Sequence, residues 1–384
     1  MEKRNLPWYA MGALMDQNDV DLVTKLVGEC AHSSKGFFRL PEEPEFQKQF
    51  AAHEGAKYAS AVNAAGTGLD LALWVLGVGP GDEVITTPLT FVCSATCAML
   101  RGAKVVFADI DPVTYNLDPA SVEKKITEKT KVIIPVHFGG VPCDIEEFDR
   151  IAKKYNVKIV YDAAHATGSL YKGQKIGGMG DMTVYSFQTN KNMTTLGEGG
   201  AITTDNEEYY RELERIKSFG FQYGAVDDVV QLGSNYRMTK LQSAAGIEQL
   251  KKVDRNNSIR NEGMRKLNAL LHNVDEIVCP TIPEGCFSAC HLNTYLLDDE
   301  KSGIVPEDFF HMIKEEYGVG ISFHYKPVYS WKIFREAGYT GEDTPVAARV
   351  CRQLFQLPVF AHMTDDDYEY IAWAVKECIK RLAK

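Results

Sequence analysis

The sequence predicts an α/β protein whose main sheet is mostly parallel and covered by helices on both faces. Between about residues 56 and 205, short apolar strands alternate with helical segments. The strands are nearly continuous apolar runs, as expected for parallel strands that are buried on both faces. They include KYASAV, EVITT, KVVFADI, KVIIPVHF and KIVYDAA. Strand–helix–strand alternation defines an α/β domain, and sites in such a sheet lie outside the carboxyl ends of the strands.

Helical segments connect these strands and dominate the chain after them. The connecting segments are TGLDLALWVLGV, SATCAMLRG, PASVEKKI and the amphipathic IEEFDRIAKKY. Asp205 and Glu208 predict a capping box for NEEYYRELERIKSFG, and one long helix is expected around 238–270. Short strands and two or three helices follow. We therefore expect a large domain over 1–255, with an N-terminal helical segment, and a small C-terminal α/β domain over 256–384.

Composition excludes several classes of function. The 384-residue chain has a net charge of −10 and no basic block, which argues against nucleic-acid and anionic-membrane partners. No window approaches the ~18 apolar residues of a membrane helix, and the N-terminus does not have the pattern of a signal peptide. Nine scattered cysteines indicate reduced thiols. We therefore expect a cytoplasmic protein.

Four residues suggest a metal site at first sight. Cys286, Cys290 and His291 lie close together, with Cys279 just upstream. Their spacing matches no zinc pattern, and no second Cys-x-x-Cys pair follows. We therefore expect no metal.

Asp162 ends the predicted strand KIVYDAA and places a carboxylate at the sheet's carboxyl edge. A buried carboxylate at that place can hold the proton on the pyridine nitrogen of pyridoxal phosphate (PLP). An aspartate after a strand is also a common helix N-cap. The residue alone leaves both interpretations open.

Lys191 lies in a polar stretch between two predicted strands, in SFQTNKNMTTLGEGGAITTD. A Schiff-base lysine needs a lowered pKa and a fixed approach to the cofactor. Gly197, Gly199 and Gly200 follow it and permit close backbone approach. The alternative is an ordinary solvated lysine, which is less expected between two strands of the core.

Ala65-Gly66-Thr67 forms a strand-to-helix turn of the kind that binds phosphate through free backbone amides. The turn matches neither GxGxxG nor the P-loop pattern, which argues against a dinucleotide-binding fold and an NTPase.

Taken together, these motifs resemble the DegT/DnrJ/EryC1/StrS family of sugar aminotransferases, which are fold-type I PLP enzymes. The resemblance covers nearly the whole chain. Within the family, the Asp-Ala-Ala-His run is similar to that of members that aminate a UDP-4-keto-pentose to give 4-amino-4-deoxy-arabinose. The motifs that carry the resemblance are GVGPGDEVITTPLTFV, VIIPVHFGGVPCDI, YDAAHATGSLYKGQKIG, SFQTNKNMTTLGEGGAITTD and GSNYRMTKLQSAAGIEQL.

The resemblance implies roles for matched positions. Lys191 is similar to the lysine that binds PLP and then moves the substrate proton, and Asp162 to the pyridinium partner. His165 matches the position against the cofactor ring and its phenolic oxygen. The remaining matches are Gly66, Thr67 and Ser186 for the phosphate, Asn235 for a phosphate contact across a dimer interface, and Phe91 for stacking on the ring.

Simpler interpretations stay open for several of these residues. His165 and Phe91 are also compatible with core positions, and Asn235 with a turn. His291 and His324 are candidates for the substrate pocket, or ordinary histidines.

The chain departs from the family pattern at two places. Ala65 stands where a serine is usual, which removes one hydroxyl from the phosphate turn. Gln188, Thr189 and Asn190 stand where His-Pro-x often precedes the lysine, so substrate choice is expected to differ from the nearest relatives.

The function implied is transamination through PLP and its pyridoxamine form in a homodimer. Glutamate or glutamine would supply the amino group to a 3- or 4-keto-sugar nucleotide (hexose or pentose) or a cyclitol, in polysaccharide or secondary-metabolite biosynthesis. One alternative is a sugar dehydratase, but a histidine replaces the lysine in those relatives. The other is a non-catalytic regulator, which an intact pair of Asp162 and Lys191 argues against.

Overall fold

A computed structural model describes residues 2–8, 12–34, 36–222 and 228–383. The strands are β1 (Tyr58–Val62), β2 (Glu83–Thr86), β3 (Lys104–Phe107), β4 (Thr130–Ile134), β5 (Lys158–Asp162), β6 (Leu170–Tyr171), β7 (Gln174–Lys175), β8 (Met182–Ser186), β9 (Gly200–Thr204), β10 (Ile277–Val278), β11 (Thr294–Leu297) and β12 (Leu354–Gln356). The helices are α1 (Gln17–Ala31), α2 (Glu42–Glu54), α3 (Ala65–Val75), α4 (Cys93–Leu100), α5 (Pro119–Lys125), α6 (Ile145–Tyr155), α7 (Glu207–Ile216), α8 (Lys240–Leu250), α9 (Val253–Leu271), α10 (Asp299–Ser302), α11 (Pro306–Glu315), α12 (Lys332–Glu336), α13 (Pro345–Gln353) and α14 (Asp365–Leu382).

The main sheet has seven strands in the order β1-β9-β8-β5-β4-β2-β3. Strand β9 runs antiparallel to both of its neighbours, and the other pairs are parallel. The carboxyl ends of the six parallel strands therefore meet at one edge, where β9 begins. The mostly parallel α/β sheet predicted from the sequence is confirmed.

Strand residues alternate between two hydrophobic cores because successive side chains point to opposite faces. On β5, Ile159 and Tyr161 face a core that includes Phe148 of α6. Val160 faces the second core, which includes Leu69 of α3. Burial on both faces explains why these strands are continuous apolar runs.

A smaller unit follows the main sheet. Strands β10, β11 and β12 form an antiparallel sheet, and helices α9, α11 and α14 pack against it. The predicted domain boundary at 255/256 falls within α9, and it stays a prediction. The apolar side of α9 faces this core. Its buried polar side chains bond elsewhere: Asn256 and Asn257 to carbonyls of the main domain, and Arg260 and Asn261 to carbonyls of the 288–291 segment.

Two local predictions were wrong. The N-cap of α7 is Asn206, whose side chain accepts from the backbone N–H groups of Glu208 and Tyr209. Asp205 instead accepts from the backbone N–H of Lys57. The expected single helix over 238–270 is two helices, because α8 packs on α2 and α9 turns to pack on α14.

The described ranges contain no helix that is long and apolar enough to cross a membrane.

Candidate active site

The predicted site residues gather at the carboxyl edge of the main sheet. Asp162 ends β5 and Ser186 ends the neighbouring strand β8. Lys191 follows in the loop between β8 and β9, and the Ala65 turn follows β1. Phe91 lies after β2. Topology alone therefore brings these segments to one edge.

Asp162 is a buried carboxylate held by two hydrogen bonds. The Ser94 hydroxyl donates to its Oδ2 at 2.7 Å, and the Ala164 backbone N–H donates to its Oδ1 at 3.0 Å. Burial raises the pKa of Asp162, and those hydrogen bonds and the charge of Lys191 oppose the rise. Turns follow Asp162 instead of a helix, so it is not a helix N-cap. Within the described ranges no salt bridge joins it to a cationic side chain.

Lys191 is partly buried, and its backbone N–H donates to the Gln188 carbonyl at 2.8 Å. Burial lowers the pKa of Lys191 to about 8, although the charge of Asp162 acts in the opposite direction. A lysine with this pKa has a much larger neutral fraction near neutral pH than an ordinary lysine, and the neutral amine is the nucleophile. The solvated-lysine alternative therefore does not describe Lys191.

His165 is neutral, and its proton can be assigned. The Gly139 backbone N–H donates to its Nδ1 at 3.3 Å, so that nitrogen carries a lone pair. The proton of the neutral ring is therefore on Nε2, which lies 3.0 Å from the Tyr325 hydroxyl. Burial and the charge of Lys191 hold the pKa of His165 well below its usual range. Because both ring nitrogens are partnered, the expected contact with a phenolic oxygen stays a prediction.

The phosphate turn opens α3 without a side-chain cap. The Thr67 hydroxyl lies 2.7 Å from Asn63 Oδ1 and 2.8 Å from the Ala64 carbonyl, so it stabilises its own turn. The first backbone N–H groups of the helix, at Ala65, Gly66 and Thr67, therefore remain available to an anion.

Gly200 makes this turn possible. A Cβ at Gly200 would lie 2.8 Å from Ala64 C, Ala65 N and the Tyr185 carbonyl oxygen. All three are backbone atoms, so only glycine lets β9 begin this close to α3.

Three further predicted residues, Ser186, Phe91 and Asn235, differ in their burial and in their partners. Ser186 is buried, and its hydroxyl accepts from the Gln188 backbone N–H at 3.4 Å. Phe91 is 57% exposed and its ring centroid lies 6.1 Å from that of Tyr325, so the core interpretation is wrong. Asn235 is exposed and accepts from Arg237 Nε at 3.0 Å.

His291 and His324 both lie near Lys191, whose charge lowers the pKa of each after burial. The His291 ring centroid is 4.6 Å from that of His165, and its Nδ1 lies 3.1 Å from Asn192 Oδ1. His324 Nδ1 lies 3.0 Å from the Ser322 hydroxyl.

Sequence reasoning missed Ser94, Asn192, Asn257 and Tyr325. Each acts through a partner far away in the chain, such as Ser94 with Asp162 and Tyr325 with His165. Only Tyr325 carried a signal, since it directly follows His324.

The described residues contain no group of three or more His, Cys, Asp and Glu side chains that is arranged to hold a metal ion. Cys290 is buried and lies 3.8 Å from the Met264 sulfur.

The residues fit PLP. A buried carboxylate without a bonded cation suits a protonated pyridine nitrogen. A lysine with a lowered pKa suits an aldehyde, and an uncapped helix N-terminus suits a phosphate. Fold and site together define a fold-type I PLP-dependent aminotransferase.

More narrowly, the chain belongs to the DegT/DnrJ/EryC1/StrS aminotransferase family, whose model matches residues 19–376. Members of this family are PLP-dependent sugar aminotransferases. The predicted family, enzyme class and cofactor are therefore confirmed.

Three relatives illustrate the range of the family. The chain is 36% identical to the spore coat polysaccharide biosynthesis protein SpsC of Bacillus subtilis, over 99% of both chains. It is 32% identical to a pleiotropic regulatory protein of Geobacillus stearothermophilus, over 99% of this chain and 100% of that protein. It is 41% identical to the GDP-perosamine synthase of Caulobacter vibrioides, over 62% of this chain and 63% of that enzyme.

Solved structures share the fold. An aminotransferase from Psychrobacter cryohalolentis matches with a TM-score of 0.92 at 27% identity, over 98% of this chain and 100% of that one. NtdA of Bacillus subtilis, solved with bound cofactor PMP, matches with a TM-score of 0.90 at 26% identity, over 99% of this chain and 86% of that one.

Proposed function

We propose that this enzyme transfers an amino group from glutamate or glutamine to a keto-sugar nucleotide, a 3- or 4-keto hexose or pentose, or to a cyclitol. The product would serve polysaccharide or secondary-metabolite biosynthesis in the cytoplasm. The similarity to the spore coat polysaccharide biosynthesis protein and to GDP-perosamine synthase supports a sugar substrate.

One observation carries the proposal. The lysine that the family uses, Lys191, has a pKa lowered to about 8 beside the buried carboxylate of Asp162. Burying two ionisable side chains in one low-dielectric site lowers the free energy of unfolding. A site that had lost its chemistry would have no physical reason to keep them.

Each residue has a separate task in this mechanism. When PLP is bound, it acts as the electron sink for the carbon that loses or gains the amino group. Lys191 would hold the cofactor covalently, and its Nζ would carry the proton when free. Asp162 would keep a proton on the pyridine nitrogen, and the Ser94 hydroxyl would keep that carboxylate in place.

Other residues would bind and orient. The backbone amides at Ala65, Gly66 and Thr67 and the Ser186 hydroxyl would hold the phosphate. Phe91 would cover one face of the cofactor ring, since its side chain is exposed at the site.

A homodimer is part of the proposal. Asn235 would complete the neighbouring subunit's phosphate site, and its exposure on this chain supports that role. Large apolar side chains are exposed on the same segment and on the segment before α2: Phe37, Phe38, Leu40, Phe219, Val229, Val230 and Leu232. Helix α8 directly follows the segment of Asn235, and its first residue, Lys240, donates through Nζ to the Leu40 carbonyl at 3.3 Å. An exposed apolar surface of this kind favours association.

The two alternatives are less well supported. A dehydratase of this family would have a histidine at position 191. One relative is named a regulatory protein. A protein that only regulates and catalyses no reaction would have no use for a lysine with a lowered pKa, such as Lys191.

Spectroscopy of the purified enzyme tests the proposal. We expect a yellow protein that bleaches when glutamate or glutamine is added, and recovers its colour when a suitable keto-sugar nucleotide or cyclitol from a panel follows. Lys191→Ala is expected to abolish turnover, and the exposed Lys57→Ala is the matched control. If no amino acid bleaches the cofactor, transamination is wrong.

A further inference from the structure

Two amide side chains are hydrogen-bonded in a chain that includes Asn192, the residue after Lys191. Asn257 on α9 donates through Nδ2 to the Thr167 carbonyl at 2.8 Å, and its Oδ1 accepts from Asn192 Nδ2 at 2.8 Å. Asn192 Nδ2 also donates to the Ala289 carbonyl at 2.7 Å. Asn192 Oδ1 is then left to face His291 Nδ1.

The direction of every hydrogen bond in this chain is determined. The carbonyls of Thr167 and Ala289 can only accept, so the NH₂ groups of both asparagines must point towards them. Asn192 Oδ1 is therefore an acceptor, and His291 Nδ1 must carry the proton that it accepts. In a neutral ring, Nε2 of His291 is then an unprotonated acceptor.

The hydrogen bond with His165 leaves Tyr325 as a hydrogen-bond donor, which is the opposite of the acceptor role of His291. Because His165 Nε2 carries the proton, the Tyr325 oxygen accepts it. The hydroxyl hydrogen of Tyr325 therefore remains free to be donated elsewhere.

Both groups keep these protonation states. Burial, then the charge of Lys191, holds the pKa of His291 well below its usual range, so it stays neutral. Burial raises the pKa of Tyr325 well above its usual range, so it keeps its hydrogen. The rings of His291 and Tyr325 both lie against His165, with centroids 4.6 Å and 6.0 Å away.

We propose that the site selects a ketone whose neighbouring carbon bears a hydroxyl group, with Tyr325 donating to the ketone oxygen and His291 Nε2 accepting from that hydroxyl. Asn192 is the positioning residue that makes His291 an acceptor. This inference rests on the proposed aminotransferase function and assigns the two side chains that recognise the ketone and its neighbouring hydroxyl.

Nuclear magnetic resonance tests the proton position without any substrate. The PLP-loaded full-length protein would carry ¹⁵N-labelled histidine, with the His291 signals assigned from His291→Gln. We expect the proton on Nδ1 in the wild type and a mixture of the two ring forms in Asn192→Ala. A proton on Nε2 in the wild type overturns the inference.

Kinetics test the recognition. The probes are UDP-4-keto-pentose and the other keto-sugars of the panel, each paired with the analogue that lacks the hydroxyl next to the ketone. We expect the wild type to prefer the hydroxylated member of a pair by about tenfold in kcat/KM, because the analogue leaves the His291 acceptor unpaired.

His291→Phe should bring that ratio close to one, and His291→Gln, which retains an acceptor, should restore part of it. His272→Gln, an exposed histidine, is the control. A ratio that is unchanged in His291→Phe overturns this inference alone. A wild type that aminates none of the ketones overturns the proposed function, and the substrate inference with it, while the resonance result still decides the position of the His291 proton.

Discussion

The hydroxyl of Ser94 donates a 2.7 Å hydrogen bond to Oδ2 of Asp162, across 68 positions of sequence. Ser94 is in turn 2.7 Å from the Thr90 hydroxyl. This hydrogen bond favours the charged carboxylate, because burial raises the pKa of Asp162 and the bond from Ser94 is the largest effect that opposes the rise.

Ser94→Ala should weaken PLP binding by roughly tenfold, the order expected for one lost hydrogen bond to a charged group. The pKa of Asp162 would rise further, and a protonated Asp162 cannot hold the pyridinium. Titration of the apoprotein with PLP measures the effect. Thr96→Ala, on the same helix, serves as the control, and an equal loss in both variants would contradict the assignment.

Lys191 should make cofactor uptake depend on pH. Because its pKa is lowered to about 8, the neutral amine accumulates as pH rises through that value. The rate of PLP uptake by the apoprotein should therefore rise with an inflection at about pH 8 and level off above it. Stopped-flow absorbance from pH 6 to 10 checks this expectation. A rate that is still rising steeply at pH 10, as expected for an ordinary lysine with a pKa of about 10.4, would show that burial does not act as described.

His53 should stabilise the fold only below alkaline pH. Burial alone would lower its pKa, but hydrogen bonds to Asp254 at 3.1 Å and Glu54 at 2.8 Å raise it from 6.5 to about 9. A raised pKa in the folded state gives stability that is fully present below pH 6.5 and is lost as pH rises through 9.

His53→Gln should therefore reduce the free energy of unfolding by about 2 kcal/mol at pH 6, after allowance for screening. The difference should largely disappear above pH 9. Urea unfolding at both pH values measures it, with His272→Gln as the reference. A constant difference across this range would mean that the contribution of His53 is not electrostatic.

Gly200→Ala should damage both stability and phosphate binding. The added Cβ meets backbone atoms of the α3 turn at 2.8 Å, and backbone cannot move aside cheaply. We expect a loss of about 1–3 kcal/mol, as for other overpacked sites, together with weaker PLP binding. Gly28→Ala is a control with the opposite expected effect on stability, since nothing lies within 4 Å of a Cβ added at Gly28. In the exposed α1 it should add up to about 1 kcal/mol.

Hybrid dimers would test whether Asn235 acts across an interface. Lys191→Ala and Asn235→Ala should each be inactive or nearly so. After the two variants are mixed and allowed to exchange subunits, half of the dimers carry one intact site, which restores about a quarter of wild-type activity. No recovery after verified exchange would place Asn235 in its own subunit's site, or outside the site.

The strands and Asp162 could be predicted because their signals are local. Continuous apolar runs such as KIVYDAA reflect burial on both faces, and β5 ends at Asp162 as expected. Errors arose where a distant partner decided the outcome. Asp205 was unavailable as a cap because the Lys57 N–H occupies it, and no glycine or proline marks the break between α8 and α9.

The supporting residues of the site could not be predicted for the same reason. Asn192 and Asn257 look like ordinary polar residues of a loop and a helix. Their importance depends on a 2.8 Å contact between positions 65 residues apart. Only the packing of α9 against the β8–β9 loop reveals it.

The reversed direction of β9 has a consequence for divergence among such enzymes. Because β8 and β9 are antiparallel neighbours, the chain returns between them without crossing the sheet. The loop that carries Lys191 is thus a local excursion whose ends are tied to each other. Its sequence can change, as at Gln188, Thr189 and Asn190, without relocating a helix or altering the strand order. New substrate preferences can therefore evolve at this loop while the rest of the scaffold is inherited unchanged.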